Sequence, residues 1–181
     1  MKIIAKTGNT ELATIYIAQT NDGNYVEFVE SIQPPHTLDK KWVLIVSTLY
    51  GCPVGCAFCD CSYFYKGKIS TEDIFNQIDS MVLQRFPDRK ITVEKFKIQF
   101  ARMGEPSLNN NVLVVLNKFS DYYDAPGFVP SLSSIAPASS EDFFEELLLI
   151  KKRKYRNNFQ LQFSIHSTNE AQRDEFIPVK K

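Results

Sequence analysis

No charge dominates this sequence. Lysine plus arginine number 21 and aspartate plus glutamate 21, so the formal net charge is zero. A global basic footprint for nucleic acid is therefore missing, although balance alone does not exclude such a partner. No apolar stretch approaches the roughly 18–20 residues that a membrane helix needs. The first residues, MKIIAKTGNTELATIYIA, are interrupted by Lys6, Asn9 and Glu11, which leaves no secretory h-region. The expectation is a cytoplasmic protein with no membrane partner. Internal repeats and low-complexity segments are also absent. With 181 residues, 44% of them apolar, the chain is long enough for one well-buried domain and short for two.

Cysteine is missing everywhere except in one place. All four cysteines, Cys52, Cys56, Cys59 and Cys61, fall within ten positions of the stretch LYGCPVGCAFCDCSYF. Disulfides of small secreted domains are usually spread along the chain to staple loops. Clustering in a chain without a signal peptide points instead to metal or redox chemistry. Cys52, Cys56 and Cys59 form a C-x₃-C-x₂-C array of soft thiolate donors, suited to zinc or to an iron–sulfur cluster. A structural zinc wants four closed ligands, often as two separated pairs. A four-iron cluster held by three cysteines leaves one iron open to a small molecule. Cys61 could supply a fourth thiolate, but the spacing C-D-C is tight for ligands on separate irons of one cube, so it is expected not to ligate.

Periodicity divides the chain near residue 40. ELATIYIAQT and NYVEFVES alternate apolar and polar residues around the turn signal NDG, which predicts a β-hairpin in a small N-terminal element, residues 1–40. QPPHTLDKK breaks this regularity and serves as a linker. Residues 41–181 then repeat strand, loop and helix. KWVLIVST is a continuous apolar run suited to a strand buried on both faces. A helix opens at Ser70, with Asp73 as a capping-box variant and Ile74, Phe75, Ile78 and Val82 on its apolar face. KFKIQFA is the second strand, and Asn109–Asn111 cap the helix after it. GFVPSLSSI is the third strand despite Pro130. A helix from Ser139 or Ser140 runs through EDFFEELLLIKKRK, its basic end KKRKYR complementing the helix dipole. NFQLQFSIH is the fourth strand, and Ser167 with Glu170 opens a last helix. Four β-then-α repeats imply about four parallel strands with right-handed crossovers. Gln160, Gln162, Ser164 and His166 share one strand face, as do Lys97 and Gln99, which fits a curved sheet with a polar concave side.

The cysteine array directly follows the first parallel strand, where ligands of parallel α/β folds bind. GCPVGCAFC there resembles the cluster loop of radical S-adenosylmethionine (SAM) enzymes. ARMGEPSLN, SLSSIAP and FSIHSTNEAQRDEFIP come after it in that family's order. The last segment is similar to the RlmN/Cfr-like branch, which methylates the 2- or 8-position of an adenine in 23S ribosomal RNA. The resemblance covers roughly residues 41 to 178. It implies a partial (βα) radical SAM barrel in which Cys52, Cys56 and Cys59 hold a [4Fe–4S] cluster and SAM chelates the open iron. Phe58 would lie beside the adenine. Gly104 and Glu105 would present backbone carbonyls, with the Glu carboxylate as a further acceptor, to the SAM ammonium. Ser133, or Ser134 if the register slips, would contact the SAM ribose or carboxylate, and Ser164 and His166 would line the pocket. No residue is assigned as a general base, because the radical abstracts hydrogen without one. An external flavodoxin- or ferredoxin-like electron donor and an RNA substrate are the implied partners.

The resemblance is incomplete. The branch barrel has six βα units and a C-terminal methyl-accepting cysteine, whereas no cysteine follows Cys61 here. The sequence therefore reads as truncated after its fourth strand. A radical SAM enzyme with another substrate, and a non-catalytic iron–sulfur or zinc module, are the competing expectations.

Overall fold

A computed structural model describes residues 1–179; the final two residues of the expected barrel segment lie outside the described residues. Three antiparallel strands begin the chain: β1 (Lys2–Asn9), β2 (Ala13–Gln19) and β3 (Tyr25–Ser31). The expected hairpin is β2–β3, with Thr14, Tyr16 and Ala18 buried on alternate positions. β1 adds a third strand that sequence reading missed. All its residues are exposed, so it carries no alternating burial signal.

The meander does not stand apart from the parallel strands. β3 pairs antiparallel with β4 (Lys41–Val46), and one seven-stranded sheet runs β1-β2-β3-β4-β7-β8-β9. β7 (Lys95–Phe100), β8 (Phe128–Ser134) and β9 (Gln160–Phe163) continue it in parallel from β4. The junction is chemically fixed. The buried Glu30 carboxylate accepts from Tyr16 Oη at 3.0 Å, from Trp42 Nε1 at 3.0 Å and from Arg85. A charge taken from water needs such partners. Between β4 and the first helix, β5 (Leu49–Gly51) and β6 (Tyr65–Lys68) form a small antiparallel pair not expected from the sequence.

Helix α1 (Thr71–Val82) is capped as predicted, Ser70 Oγ accepting from the Asp73 amide at 3.0 Å. Its buried Ile74, Phe75, Ile78, Met81 and Val82 face the sheet core with Trp42, Phe96 and Phe100. α2 (Asn111–Tyr122) begins beside Asn109, whose Oδ1 accepts from the Asn111 amide. Pro130 is tolerated inside β8 because β9 pairs only from Ser131 onward.

Two helix expectations need correction. α3 (Glu141–Ile150) does not continue through KKRK; residues Lys151–Tyr155 widen into a π-turn, and the Tyr155 hydroxyl donates to the Leu116 carbonyl. α4 (Glu170–Phe176) is capped by Asn169, whose side chain accepts from the Gln172 amide at 3.1 Å. Ser167 lies one step further out and bonds the Gln172 side chain and the Asn169 amide instead. Among the described residues, no helix is long and apolar enough to cross a membrane.

Candidate functional site

The sheet's carboxyl ends converge on one cleft of about 210 Å³. Every candidate site residue reaches it: Cys52, Cys56, Phe58 and Cys59 from the loop after β4, Gly104 and Glu105 after β7, Ser133 on β8, and Ser164 and His166 after β9. Four chain segments remote in sequence thus meet where parallel α/β folds place their ligands.

The cysteine loop is held by its own backbone. The Cys52 amide donates to the Cys61 carbonyl at 2.9 Å and to the Phe64 carbonyl at 3.1 Å. The Cys59 amide and the Ser62 hydroxyl both donate to the Cys56 carbonyl. The end of α4 ties in through Ala57 N–H to the Phe176 carbonyl at 2.9 Å, and buried Val54 and Ile177 pack beside Cys52. All four cysteines are free thiols. Burial pushes the Cys52 thiol up. It pushes Cys56 up to about 11, helped by the charges of Cys52 and Cys59. Cys61 is likewise pushed to about 11 by burial, then by the charge of Cys59 and a hydrogen bond with it. Thiolates crowded like this repel one another unless a cation holds them. Among the described residues, no three His, Cys, Asp or Glu side chains group to hold a single metal ion. A four-iron cube asks for something different. There each thiolate takes its own iron and the thiols need not converge on one ion; Cys52, Cys56 and Cys59 line the same cleft.

The GEP turn is rigid, for reasons that the motif alone does not reveal. Gly104 has φ +90°, and a Cβ there would lie 2.3 Å from Leu49 Cβ, so only glycine fits. Its carbonyl faces Thr48 Oγ1 at 3.4 Å. The Glu105 carboxylate is already fully engaged. Oε1 accepts from the Ser107 amide, the Ser107 hydroxyl and the Ser134 hydroxyl, at 2.6–3.0 Å, and Oε2 accepts from the Ile135 amide at 3.0 Å. This side chain braces the end of β7 against the end of β8.

Ser133 and Ser134 point to opposite sides of β8. Ser134 serves the Glu105 brace, while Ser133 Oγ accepts from Gln99 Nε2 at 3.2 Å and donates to Gln162 Oε1 at 3.3 Å. The expected polar face thus exists as a row across β7, β8 and β9. Lys97 shares that face on β7, and burial, with the charges of Lys41 and Lys95, pulls its amine down. His166 has φ +59° and lays its ring 4.5 Å from that of Phe58, so these two exposed rings form one wall of the cleft.

Sequence reasoning missed two contributors. Asn109, read only as a cap, is fully buried and donates to the Thr48 and Ile69 carbonyls at 2.7 and 2.8 Å, fastening the second loop to the first. Arg102 lines the cleft and pairs with Glu27 of the meander. Neither has a one-dimensional signal, since their partners lie 40 to 75 positions away.

No family model matches the chain. The fold nonetheless matches that of about half of a solved radical SAM methyltransferase. That structure, from Sphaerobacter thermophilus, superposes with a TM-score of 0.74 at 20% identity, covering 98% of this chain and 49% of that one. In sequence the chain resembles the RlmN-like branch. It is 27% identical over 168 residues to the dual-specificity RNA methyltransferase RlmN of Halorhodospira halophila, and 28% over 167 residues to a probable RlmN of Petrotoga mobilis. Each alignment covers 92% of this chain but only 42% and 44% of the relative, so the chain spans less than half the length of these proteins.

Proposed function

We propose that these residues form the SAM-activating core of an RlmN-like radical SAM methyltransferase. The observation that carries this reading is the convergence of the C-x₃-C-x₂-C loop, the GEP turn and the Ser133, Ser164 and His166 positions on one cleft. Cys52, Cys56 and Cys59 would hold a [4Fe–4S] cluster, whose donor set of three thiols on one cleft they match. When bound, that cluster supplies the electron that cleaves SAM to methionine and a 5′-deoxyadenosyl radical. The protein's own part is to position and shield. Gly104 allows the chain to approach the ligand closely. The Glu105 brace keeps the turn from yielding, Ser133 offers a hydroxyl from the polar row, and the Phe58–His166 wall, its rings tilted 44° to each other, offers an aromatic face to an adenine. Cys61 remains outside the ligand set in this reading. An external flavodoxin- or ferredoxin-like protein would deliver the electron. Methyl transfer to an RNA adenine is the reaction proposed for the complete enzyme, in keeping with the names of the relatives.

The test is anaerobic reconstitution of the purified chain with iron and sulfide, then SAM and dithionite, with 5′-deoxyadenosine quantified. Product above a Cys56→Ala control supports the reading. A loaded cluster without product would leave an electron-transfer protein, and bound zinc without a cluster would favour a structural module.

A further inference from the structure

A second concavity adjoins the cleft on the side of the meander. Tyr25 and Val26 from β3, Tyr50 from β5, Phe64 and Lys66 at β6, and Met103 line a groove of about 480 Å³. The Glu27–Arg102 ion pair joins the two spaces, Glu27 lining the groove and Arg102 lining the cleft. Aromatic rings are left in water here to an unusual degree. Tyr25 is 54% exposed, Phe64 48%, and on the same hairpin Tyr63 is 85% and Tyr65 45% exposed. Single exposed rings are ordinary, but Tyr25 and Phe64, both about half-exposed and lining one groove beside the cleft, mark a binding surface.

Charge tells which partner suits those rings. The β5–β6 register skips from Tyr50–Gly67 to Gly51–Tyr65, so Lys66 is the extra residue of a bulge, a device that re-aims a side chain. Lys66 lines the groove, and Lys68 lies two positions on along the same strand. Among the described residues, no ion pair uses either lysine. The one carboxylate lining the groove, Glu27, is already neutralised by Arg102. Exposed rings with the unpaired Lys66 amine beside them match a nucleotide: base on aromatic face, phosphate on ammonium.

We propose that this groove binds an unpaired nucleotide of a single-stranded RNA, its base against Tyr25 and Phe64 and its phosphate on Lys66. The proposal deepens the reading of the cleft, which gives an adjoining RNA its purpose, but binding itself requires neither cluster nor SAM.

The experiment is fluorescence anisotropy of the full chain, without cluster, on a labelled single-stranded RNA octamer of mixed sequence. Tyr25→Ala and Phe64→Ala are each expected to weaken binding about tenfold or more, while Tyr25→Phe retains it. Lys66→Ala is expected to lower the slope of log affinity against log salt by about one. Unchanged affinity in both aromatic-to-alanine variants, or equal affinity for a blunt duplex of the same sequence, would overturn the proposal. Phe64 packs closely on Gly51, so if Phe64→Ala misfolds, Tyr25→Ala at its half-exposed position carries the test. Deoxyadenosine release measured in parallel keeps the two readings separate. Cleavage with unresponsive RNA binding sinks the groove alone, and ring-dependent binding without cleavage sinks the cleft alone.

Discussion

A few residues in this protein have consequences out of proportion to their size. Gly104 combines a left-handed backbone with a Leu49 contact that no Cβ survives. Gly104→Ala should therefore cost about 1–3 kcal/mol in urea unfolding and lose SAM cleavage with it. Glu105 accepts from four donors, three on Oε1 and one on Oε2. Glu105→Gln turns one acceptor oxygen into a donor facing donors, and should destabilise by roughly 1–3 kcal/mol although volume is conserved. A stability equal to the parent would show that the brace is dispensable. The thiols divide differently. Cys52→Ala, Cys56→Ala and Cys59→Ala should each abolish cluster assembly, read by iron content and absorbance after reconstitution. Cys61→Ala should not, and a full cluster in any of the first three would sink the ligand assignment.

Between elements, the decisive bonds run from loop to loop. Asn109 stands before α2 yet fastens the Thr48 and Ile69 carbonyls on either side of the β5–β6 pair. Asn109→Ala removes one donor from each carbonyl, leaving the Thr48 carbonyl with the Ile69 amide and the Ile69 carbonyl with the Asn111 side chain, and a loss of about 1–2 kcal/mol is expected, with weaker retention of the reconstituted cluster because the cysteine loop lies between those anchors. Ser70→Ala, by contrast, removes only a helix cap and should cost about 1 kcal/mol without affecting the cluster. Comparing the two by thermal unfolding and iron content separates general stability from support of the site. The elements themselves were mostly legible. α1 and the four parallel strands announced themselves through an apolar face or run bounded by turn residues. β1, β5 and β6 did not, because exposed or very short strands leave no period to read. The π-turn after Ile150 was hidden because its residues are ordinary helix formers and the hydroxyl it serves, that of Tyr155, finds its acceptor on α2.

For the molecule as a whole, the sheet ends in β9, which pairs only with β8 among the described residues. Leu161, Phe163 and Ile165 are 41–57% exposed along this segment. A free edge carrying apolar side chains is a template for further pairing. Sedimentation velocity should show concentration-dependent association of the chain, reduced by Phe163→Lys. A monodisperse monomer at all concentrations would refute this.

The one-dimensional pattern was enough to nominate the residues that line the proposed cofactor cleft. Thiol spacing, the GEP turn and a polar strand face are local features, set by residue type and by periods of two and a few positions. The same pattern could not say that Glu105 is a brace, that Asn109 fastens two loops, or that Ser133 rather than Ser134 joins the polar row. Nor could it bring Tyr25 beside Phe64, 39 positions later. Those outcomes depend on the seven-stranded order and on which atoms face each other once the meander joins the parallel strands. Hydrogen-bond partners and cavities are properties of spatial neighbours, and only folding chooses the neighbours.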